Sequence, residues 1–273
     1  MKKRNDSIRG YASLLLALSV FTLLASLVLA GSEPQGPTTI TSAGSGRFQN
    51  NSGSFIIQAK AGNVTALVID NKRVTEAWQG YYGNVTGTIT LDDAGNFTLY
   101  DWSLPNPSGE IYASNGSVVS WSNIYCMNVS GTRSNTGDNG AGGSQGIIYN
   151  INGSQIELNF GINVTDKDGL NETFNDTYTD ATGFRTGAIT IDAVDGCSLA
   201  HPYTTEAYNS AGWQELLLSD NTSLVFTALI RENANGFQPG STDTYDFQTL
   251  VLENGHVGSE VAVTNYYFFV ELS

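Results

Sequence analysis

Cysteine and histidine are nearly missing from this chain of 273 residues, which has only two of each. There is no Cys-x-x-Cys pair, so the ligand spacing of a structural zinc site is absent. His201 and His256 are isolated from each other, and no Gly-x-Ser-x-Gly elbow frames a serine, which leaves a hydrolytic triad with little support. No glycine-rich loop follows a strand and opens a helix, so nucleotide binding has no motif.

Basic residues are also scarce, with 12 lysines and arginines against 26 aspartates and glutamates. Four of the basic residues and one of the acidic residues lie in the first thirty positions. From Gly31 onward the chain therefore has 8 basic and 25 acidic residues, which gives a net charge of −17. A nucleic-acid or anionic-lipid surface needs an excess of positive charge, so both are excluded as general partners. The acidic balance suits a soluble extracellular surface.

Residues 1–30 carry an export signal. Four basic residues precede an uncharged run, 11–30, that ends in Val28-Leu29-Ala30, a sequence that a signal peptidase reads. Cleavage before Gly31 is one interpretation, an uncleaved signal anchor is a second because 20 apolar residues can span a bilayer, and a prepilin-like leader cut after Gly10 is a third. All three place the protein outside the cell or on its surface, with membrane contact only through residues 11–30 if the leader stays.

An oxidising compartment makes Cys126 and Cys197 the ends of one disulfide, with two buried thiols as the alternative. The bridge closes a loop of about 70 residues, which is worth roughly 4 kcal/mol in the chain-entropy model.

Sustained helical periodicity is missing too, apart from one helical turn predicted near Gly212–Leu218. Short apolar runs alternate with turn residues every 8–15 positions, which predicts an all-β protein, an antiparallel β-sandwich or jelly-roll, after the N-terminal signal or anchor helix. The predicted strands include Phe55–Lys60, Val64–Ile69, the hairpin around Asp92–Asn96 and a hairpin over 147–160 centred on Asn152-Gly153.

The predicted organisation is a leader at 1–30, a flexible Gly/Ser/Thr/Pro-rich linker at 31–53 and one β-domain at 54–273. Two related halves near 54–130 and 146–273 are an alternative, because Thr86-Gly-Thr-Ile-Thr-Leu-Asp92 resembles Thr186-Gly-Ala-Ile-Thr-Ile-Asp192. Chance similarity between alternating Thr/Ile strands explains that echo equally simply.

Asn-x-Ser/Thr sequons are the strongest functional signal in the sequence. Most of them fall at predicted turns or strand ends, where a glycan reaches solvent. They predict an N-glycosylated surface, with glycosylation at Asn50, Asn63, Asn84, Asn96, Asn115, Asn128, Asn152, Asn163, Asn171, Asn175 and Asn221.

Two further binding sites are hypotheses of the sequence. Oxygen ligands cluster at Asp166, Asp168, Asn171 and Glu172, which resembles a calcium loop in composition although Val164 occupies the place of the first ligand. A hairpin turn is the alternative there, and apart from this structural Ca²⁺ no cofactor is expected. Trp78, Tyr81 and Tyr82 form a candidate aromatic platform for sugar, against the alternative that they are core or cross-strand residues.

Several segments together resemble an uncharacterised group of archaeal secreted or cell-surface β-rich proteins. They are WQGYYGNVTGTITLDD, YDW, GEIYAS, WSNIYC, TGAITIDAVDGC, HPYT, YDFQTLV and YYFFVEL, and they span most of Trp78 to Leu272. The resemblance implies an archaeal surface location and carries over no catalytic residue.

These features favour a non-enzymatic structural glycoprotein of an envelope, filament or adhesive coat. Its expected partners are like subunits, other surface proteins and glycans, joined through β-surfaces or strand exchange. A carbohydrate-binding adhesion module and a secreted hydrolase are the alternatives. Exposed aromatic residues in a groove distinguish the first, and a pocket joining a histidine to a nucleophile and a carboxylate distinguishes the second.

Overall fold

The structure is a computed structural model. It describes residues 33–42, 44–46, 56–69, 75, 77–127, 129, 153–163, 165–175, 183–191, 197–200, 203–204, 207–208, 213–235, 243–253 and 263–273. The leader at 1–30, both histidines and the sequon residues Asn50, Asn128 and Asn152 lie outside these ranges. No helix among the described residues has the length and apolar character to cross a membrane.

Antiparallel β-strands dominate the described part of the chain, which confirms the predicted β-rich class. The strands are β1 Trp78–Gly83, β2 Gly87–Asp92, β3 Thr98–Leu104, β4 Gly109–Ser114, β5 Tyr125–Cys126, β6 Phe174–Asn175, β7 Phe184–Thr186, β8 Ile189–Ile191, β9 Leu199–Ala200, β10 Tyr203–Thr204, β11 Ala207–Tyr208, β12 Glu215–Ser219, β13 Leu224–Leu229, β14 Ala234–Asn235, β15 Thr244–Tyr245, β16 Phe247–Leu252 and β17 Tyr267–Leu272. The helical elements are α1 Gly153–Asn159, α2 Leu170–Thr173 and a 3₁₀ turn at Trp121–Asn123.

The largest sheet has the order β17-β4-β13-β12-β9-β6, and β5 also pairs with β12. Its two central strands, β12 and β13, are buried along their whole length, so both faces of the sheet are covered. A nearly continuous apolar strand is the sequence form of such two-sided burial. The helical turn predicted near Gly212–Leu218 is therefore wrong, because Leu216, Leu217 and Leu218 alternate between the two faces of a strand.

One face of this sheet packs against the β1–β16 pair and the two helices. Leu217 and Phe226 from the sheet meet Leu252 of β16, Leu170 of α2 and Phe174 of β6 in one apolar cluster. The opposite face carries a second cluster, in which Tyr112, Trp121 and Leu216 surround the two cysteines and the β7–β8 hairpin. Each cluster forms because alternate residues of a strand point to opposite sides.

The predicted disulfide between Cys126 and Cys197 is confirmed, with a Cα–Cα distance of 5.0 Å. Cys126 lies on β5, opposite Leu218 of β12. Cys197 precedes β9, and Leu199 of β9 pairs with Leu216 of β12. The disulfide therefore links β5 and the start of β9, two short strands that pair with the same edge of β12.

The hairpin predicted over 147–160 is wrong from Gly153 onward, where the chain forms α1. Alternation of Ile156, Leu158 and Phe160 predicted a strand, but Leu158 is exposed while Ile156 is buried. The spacing that matters is Ile156 to Phe160, four residues apart on one side of a helix, and both contact the first cluster. A short apolar run with both spacings cannot be assigned from periodicity alone.

The strands predicted within 55–60 and 64–69 are also wrong. Residues 56–69 are exposed and form no strand, with a turn at Ala61-Gly62, and they join no sheet among the described residues. Upstream, within the predicted linker, Gln35 forms a β-bridge with Val270 at the edge of β17. Two backbone hydrogen bonds of 3.0 and 2.8 Å make this bridge.

The sequence echo between 86–92 and 186–192 corresponds to a shared local structure only in part: residues 89–91 lie in β2 and Ile189–Ile191 forms β8, but the residues before them differ. Thr86-Gly87 leads directly into strand β2, whereas Gly187 lies in the turn between β7 and β8 with a φ of 59°.

Gly109, the first residue of β4, is expected to tolerate no side chain. Its φ is 123°, and a Cβ there would overlap the carbonyl oxygen of Glu271 on β17. Gly109→Ala should lower the free energy of unfolding by roughly 2 kcal/mol or more, measured by urea denaturation. Gly46→Ala is the matched control, because its Cβ would meet nothing within 4 Å. An equal loss of unfolding free energy in Gly109→Ala and Gly46→Ala would show that the close approach at Gly109 has no special cost.

Candidate assembly surface

The β2–β3 hairpin is held firmly at both ends. At its tip, the Asp93 carboxylate accepts hydrogen bonds from the N–H groups of Gly95 and Phe97 at 2.7 and 3.0 Å. Asn96 takes the left-handed conformation that the turn needs, with a φ of 62°. At its base, the N–H of Val85 donates to the buried Asp246 carboxylate at 2.8 Å. The hairpin predicted around Asp92–Asn96 is therefore present and well defined.

One face of this hairpin is apolar and open to solvent. Ile89 lies opposite Trp102, and Leu91 lies opposite Tyr100. The Tyr100 and Trp102 rings stack with centroids 6.1 Å apart and planes 26° from parallel. The exposed fractions of the four side chains range from 45% for Tyr100 to 59% for Trp102. We call these four side chains the hairpin face.

The other face of the hairpin carries Thr88, Thr90, Asp101 and Ser103, and the exposed Leu99 lies at the irregularity where the register shifts. An amphipathic two-stranded sheet is only marginally stable by itself and needs a cover on its apolar side. β2 and β3 pair only with each other among the described residues. A contiguous exposed apolar patch of this kind marks an interaction surface.

Residues 56–69, which we call the apolar arm, form a second exposed apolar region. Gly62 has a φ of 84°, and the Asn63 N–H donates to the Lys60 carbonyl at 3.2 Å, so a turn divides the arm into two segments. Val64 and Val68 are fully exposed. The other large apolar side chains of the arm are also exposed: Ile56, Ile57, Leu67 and Ile69.

The two regions differ in charge. Lys60 is the one charged residue of the apolar arm, in a chain with few cations. The hairpin from Gly87 to Leu104 has no basic residue and carries three exposed carboxylates, at Asp92, Asp93 and Asp101.

The three aromatic residues predicted as a sugar platform make separate contacts. Trp78 is half-buried, packs on Phe174 and Phe226, and donates its indole N–H to the Asp168 carbonyl at 2.6 Å. Tyr81 contacts Phe268, and Tyr82 contacts Tyr245. Trp78 thus serves the core, while Tyr81 and Tyr82 remain partly exposed.

The predicted calcium-loop residues have varied roles. Asp166 accepts a hydrogen bond from the N–H of Asn163, while the amide of Asn171 donates to the Glu157 carboxylate at 3.3 Å. Asp168 contributes its carbonyl to Trp78, and Glu172 is exposed at the start of α2. The alternative of a hairpin turn is wrong, since the segment enters a helical turn. No cluster of three acidic, histidine or cysteine side chains able to hold a metal occurs in the described ranges, and calcium binding stays a prediction.

Two buried glutamates on the strands, Glu110 and Glu215, and a third on α1, Glu157, were missed by sequence reasoning. Glu110 on β4 lies directly opposite Glu271 on β17. Glu271 accepts hydrogen bonds from the N–H of Gly187 at 2.8 Å and from the Tyr112 hydroxyl at 3.4 Å. Burial, followed by the charge of Glu271, raises the pKa of Glu110 to about 8. A glutamate inside an apolar strand, as in GEIYAS, was the available signal.

The second buried glutamate, Glu215, joins β12 to β16. It accepts hydrogen bonds from the Thr249 hydroxyl at 2.6 Å and from the Leu250 N–H at 2.8 Å, and burial raises its pKa to about 8. The recess beside it, which Trp213 and Gln248 also line, has a cavity volume of about 10 Å³, room for roughly one water molecule. The arrangement holds strands together and leaves no room for a substrate at that point.

The described sequon residues differ in accessibility. Asn171 is half-buried, and its amide nitrogen donates to Ser154 and Glu157. Asn221 is half-buried in the β12–β13 turn, and the side chain of Asn175 lies outside the description. The exposed sequon residues are Asn63, Asn84, Asn96, Asn115 and Asn163.

A scan against protein-family models and searches of curated proteins and of solved structures each returned no match. The geometry of the chain itself therefore carries the functional argument.

Proposed function

We propose that the protein is an exported, N-glycosylated structural subunit that assembles with further copies of itself at the cell surface and is not an enzyme. The observation that carries the proposal is the hairpin face, four large apolar side chains that remain exposed among the described residues. Exposed apolar surface of this extent gains free energy when a partner removes it from water. A second copy of the chain supplies such a partner in this proposal.

Export and glycosylation support this role. The leader, the disulfide and five exposed sequon residues suit an oxidising, extracellular setting. Glycans on a protein with few lysines protect it from proteolysis and keep free strand edges from random pairing. We further infer that the described sheets belong to one β-sandwich domain, because β16 and the central sheet share a single apolar cluster.

Glycopeptide mapping and particle-size analysis of the native protein test the proposal. Glycans are expected on Asn63, Asn84, Asn96, Asn115 and Asn163, and not on Asn171, whose amide nitrogen is engaged. The native fraction should contain oligomers or filaments that dissociate on dilution. Bare sequons would remove the glycoprotein part of the proposal, and a monomer at every concentration would remove the assembly part. Intact mass also shows whether the chain begins at Gly31.

A carbohydrate-binding module is the second candidate, and the stacked, exposed rings of Tyr100 and Trp102 favour it. Flat aromatic faces offer sugars an apolar contact surface. Trp102→Ala would then abolish binding to a polysaccharide array while the oligomeric state stays unchanged. In a structural subunit, the same variant changes assembly.

A further inference from the structure

We propose that the C-terminal end of β17, residues 270–273, is a pH-sensitive latch that opens from the sheet when Glu110 and Glu271 are both charged. The inference goes beyond the assembly function and does not depend on it. Its basis is a pair of carboxyl groups at the edge of the largest sheet, on two strands of which the outer one is free to leave. We call residues 270–273 the latch.

The two carboxyl groups belong to directly opposed residues. Glu110 of β4 pairs with Glu271 of β17. The N–H and C=O groups of Val270 bond to Gln35 on the outer side of β17, so those of Glu271 point inward, toward β4. Side chains opposite each other on two strands have Cβ atoms about 5 Å apart, and like charges at that distance destabilise the pairing.

The surroundings of Glu271 favour a negative charge on its carboxyl group. It accepts hydrogen bonds from the N–H of Gly187 at 2.8 Å and from the Tyr112 hydroxyl at 3.4 Å. The positive charge of Arg185 on β7 also lowers the pKa of Glu271, against the effect of burial. Glu271 is therefore the member of the pair that the fold holds ionised.

Glu110 has the opposite surroundings. Its side chain is almost completely buried, and its neighbour on β13 is the apolar Leu229. No described residue donates a hydrogen bond to its carboxyl group, and the titratable groups that face it are Glu271 and the Tyr112 hydroxyl. Burial, followed by the charge of Glu271, raises its pKa to about 8, so the closed latch keeps Glu110 neutral at pH values where an exposed glutamate is ionised.

The first half of β17 is anchored to the protein on both faces of the sheet. Phe268 packs on Tyr81 with ring centroids 5.4 Å apart, and Phe269 packs on Trp121 at 5.2 Å. The rings of Phe268 and Phe269 belong to the two different apolar clusters. We therefore expect opening to stop after Phe269.

The latch is held by fewer contacts. β17 is the last strand in the order of the sheet, and β4 is its one partner strand among the described residues, so the latch can open while β4 and β13 stay paired. The contacts that opening must break, besides those to β4, are the β-bridge between Val270 and Gln35, the hydrogen bonds between Ser273 and Ser108, and the packing of Leu272 against Gly87. Opening also frees the start of the predicted linker, because Gln35 loses its partner.

The direction of the pH effect follows from the proton balance. Opening exposes Glu110, whose pKa returns from about 8 toward 4.5, so opening between pH 5 and pH 8 releases a proton. The equilibrium constant for opening rises about tenfold per pH unit over this range. It levels off above pH 8, where Glu110 ionises in the closed form as well. The latch is thus closed in acid and loosened in alkali.

Hydrogen–deuterium exchange of the disulfide-bonded full chain, followed by NMR at pH 6 and at pH 8, measures the opening. Exchange rates are corrected for the rate of an unprotected amide at each pH. The N–H groups of Gln35, Val270, Glu271 and Ser273 should then exchange about 100-fold faster at pH 8 than at pH 6. The N–H groups of Phe269 and of β12 should exchange more slowly than these four at both pH values, because they need a larger unfolding.

Three variants assign the effect to the carboxyl pair. Glu110→Gln should abolish the rise at the four amides, because a glutamine has no proton to release. Glu271→Gln removes the charge opposite Glu110, so the rise should end at a lower pH than in the wild type. Glu33→Gln is the matched control, since Glu33 is exposed and lies beside the Gly187 turn that holds Glu271, and it should keep the full rise.

Three results would overturn the latch. Equal corrected rates at pH 6 and pH 8 would show that ionisation of Glu110 is not coupled to β17. Equal exchange of the four latch amides, Phe269 and β12 would show global unfolding in place of a local opening. An unchanged rise in Glu110→Gln would assign the pH effect to another group. None of these results bears on the assembly function, which oligomer size tests separately.

Discussion

As the pH rises from 5 to 8, the free energy of unfolding of the protein is expected to fall by several kcal/mol. The Glu110→Gln variant is expected to lose clearly less over the same range. Burial raises the pKa values of Glu110 and Glu215 from 4.5 to about 8 in the folded protein. Below pH 4.5 both groups are neutral in the folded and unfolded states, so their contribution is complete. As the pH rises toward 8, only the unfolded chain ionises, and stability falls by about 1.4 kcal/mol per pH unit for each group.

The environment of Glu110 explains why the variant should help. Burial raises the pKa of Glu271 opposite it, although the Gly187 N–H, the Tyr112 hydroxyl and Arg185 oppose that rise. A glutamine at position 110 stays neutral in the folded and the unfolded chain at every pH, so it removes the ionisation of Glu110 that favours the unfolded chain as the pH rises. We expect a gain on the order of 4 kcal/mol near pH 8, with a smaller effect near pH 4.5.

Urea denaturation curves at several pH values measure this effect. Glu33→Gln is the control, because Glu33 is exposed and should leave the pH profile of the wild type unchanged. If the unfolding free energy of Glu110→Gln falls with pH as steeply as that of the wild type, Glu110 does not have a raised pKa in the folded protein.

Removal of the disulfide is the second large effect that we expect. The double variant Cys126→Ala/Cys197→Ala should lower the free energy of unfolding by about 4 kcal/mol, because a cross-link spanning 71 residues no longer restricts the unfolded chain. Both cysteines are also buried against β12, so their smaller replacements leave gaps that add to the loss.

Reduced wild-type protein provides the matched comparison for this variant. It keeps both sulfur atoms and should lose the entropic part only, so its stability should lie between those of the oxidised wild type and the double variant. Because both cysteines are buried, reductant should act slowly on folded protein and quickly in urea. A double variant with less than about 1 kcal/mol of loss would show that the unfolded chain is compact without the bridge.

Local pattern and composition by themselves determined several properties of this protein. Alternation predicted β2, β3 and the antiparallel β class, because side-chain alternation is a property of any strand. The turn at Asp93 was predictable, since its carboxylate bonds to backbone N–H groups only a few residues away. The disulfide was predicted from the presence of only two cysteines behind a predicted export signal.

Burial was decided only by the tertiary structure, because it depends on residues far along the chain. Trp78 and Trp102 stand in similar strand patterns, yet Phe174 and Phe226 cover Trp78, while Trp102 is mostly exposed. Burial, followed by the charge of Glu271 on β17, raises the pKa of Glu110. The hairpin face became the candidate assembly surface for the same reason: its sequence shows that it is apolar, and only the packing of the described sheets leaves it uncovered.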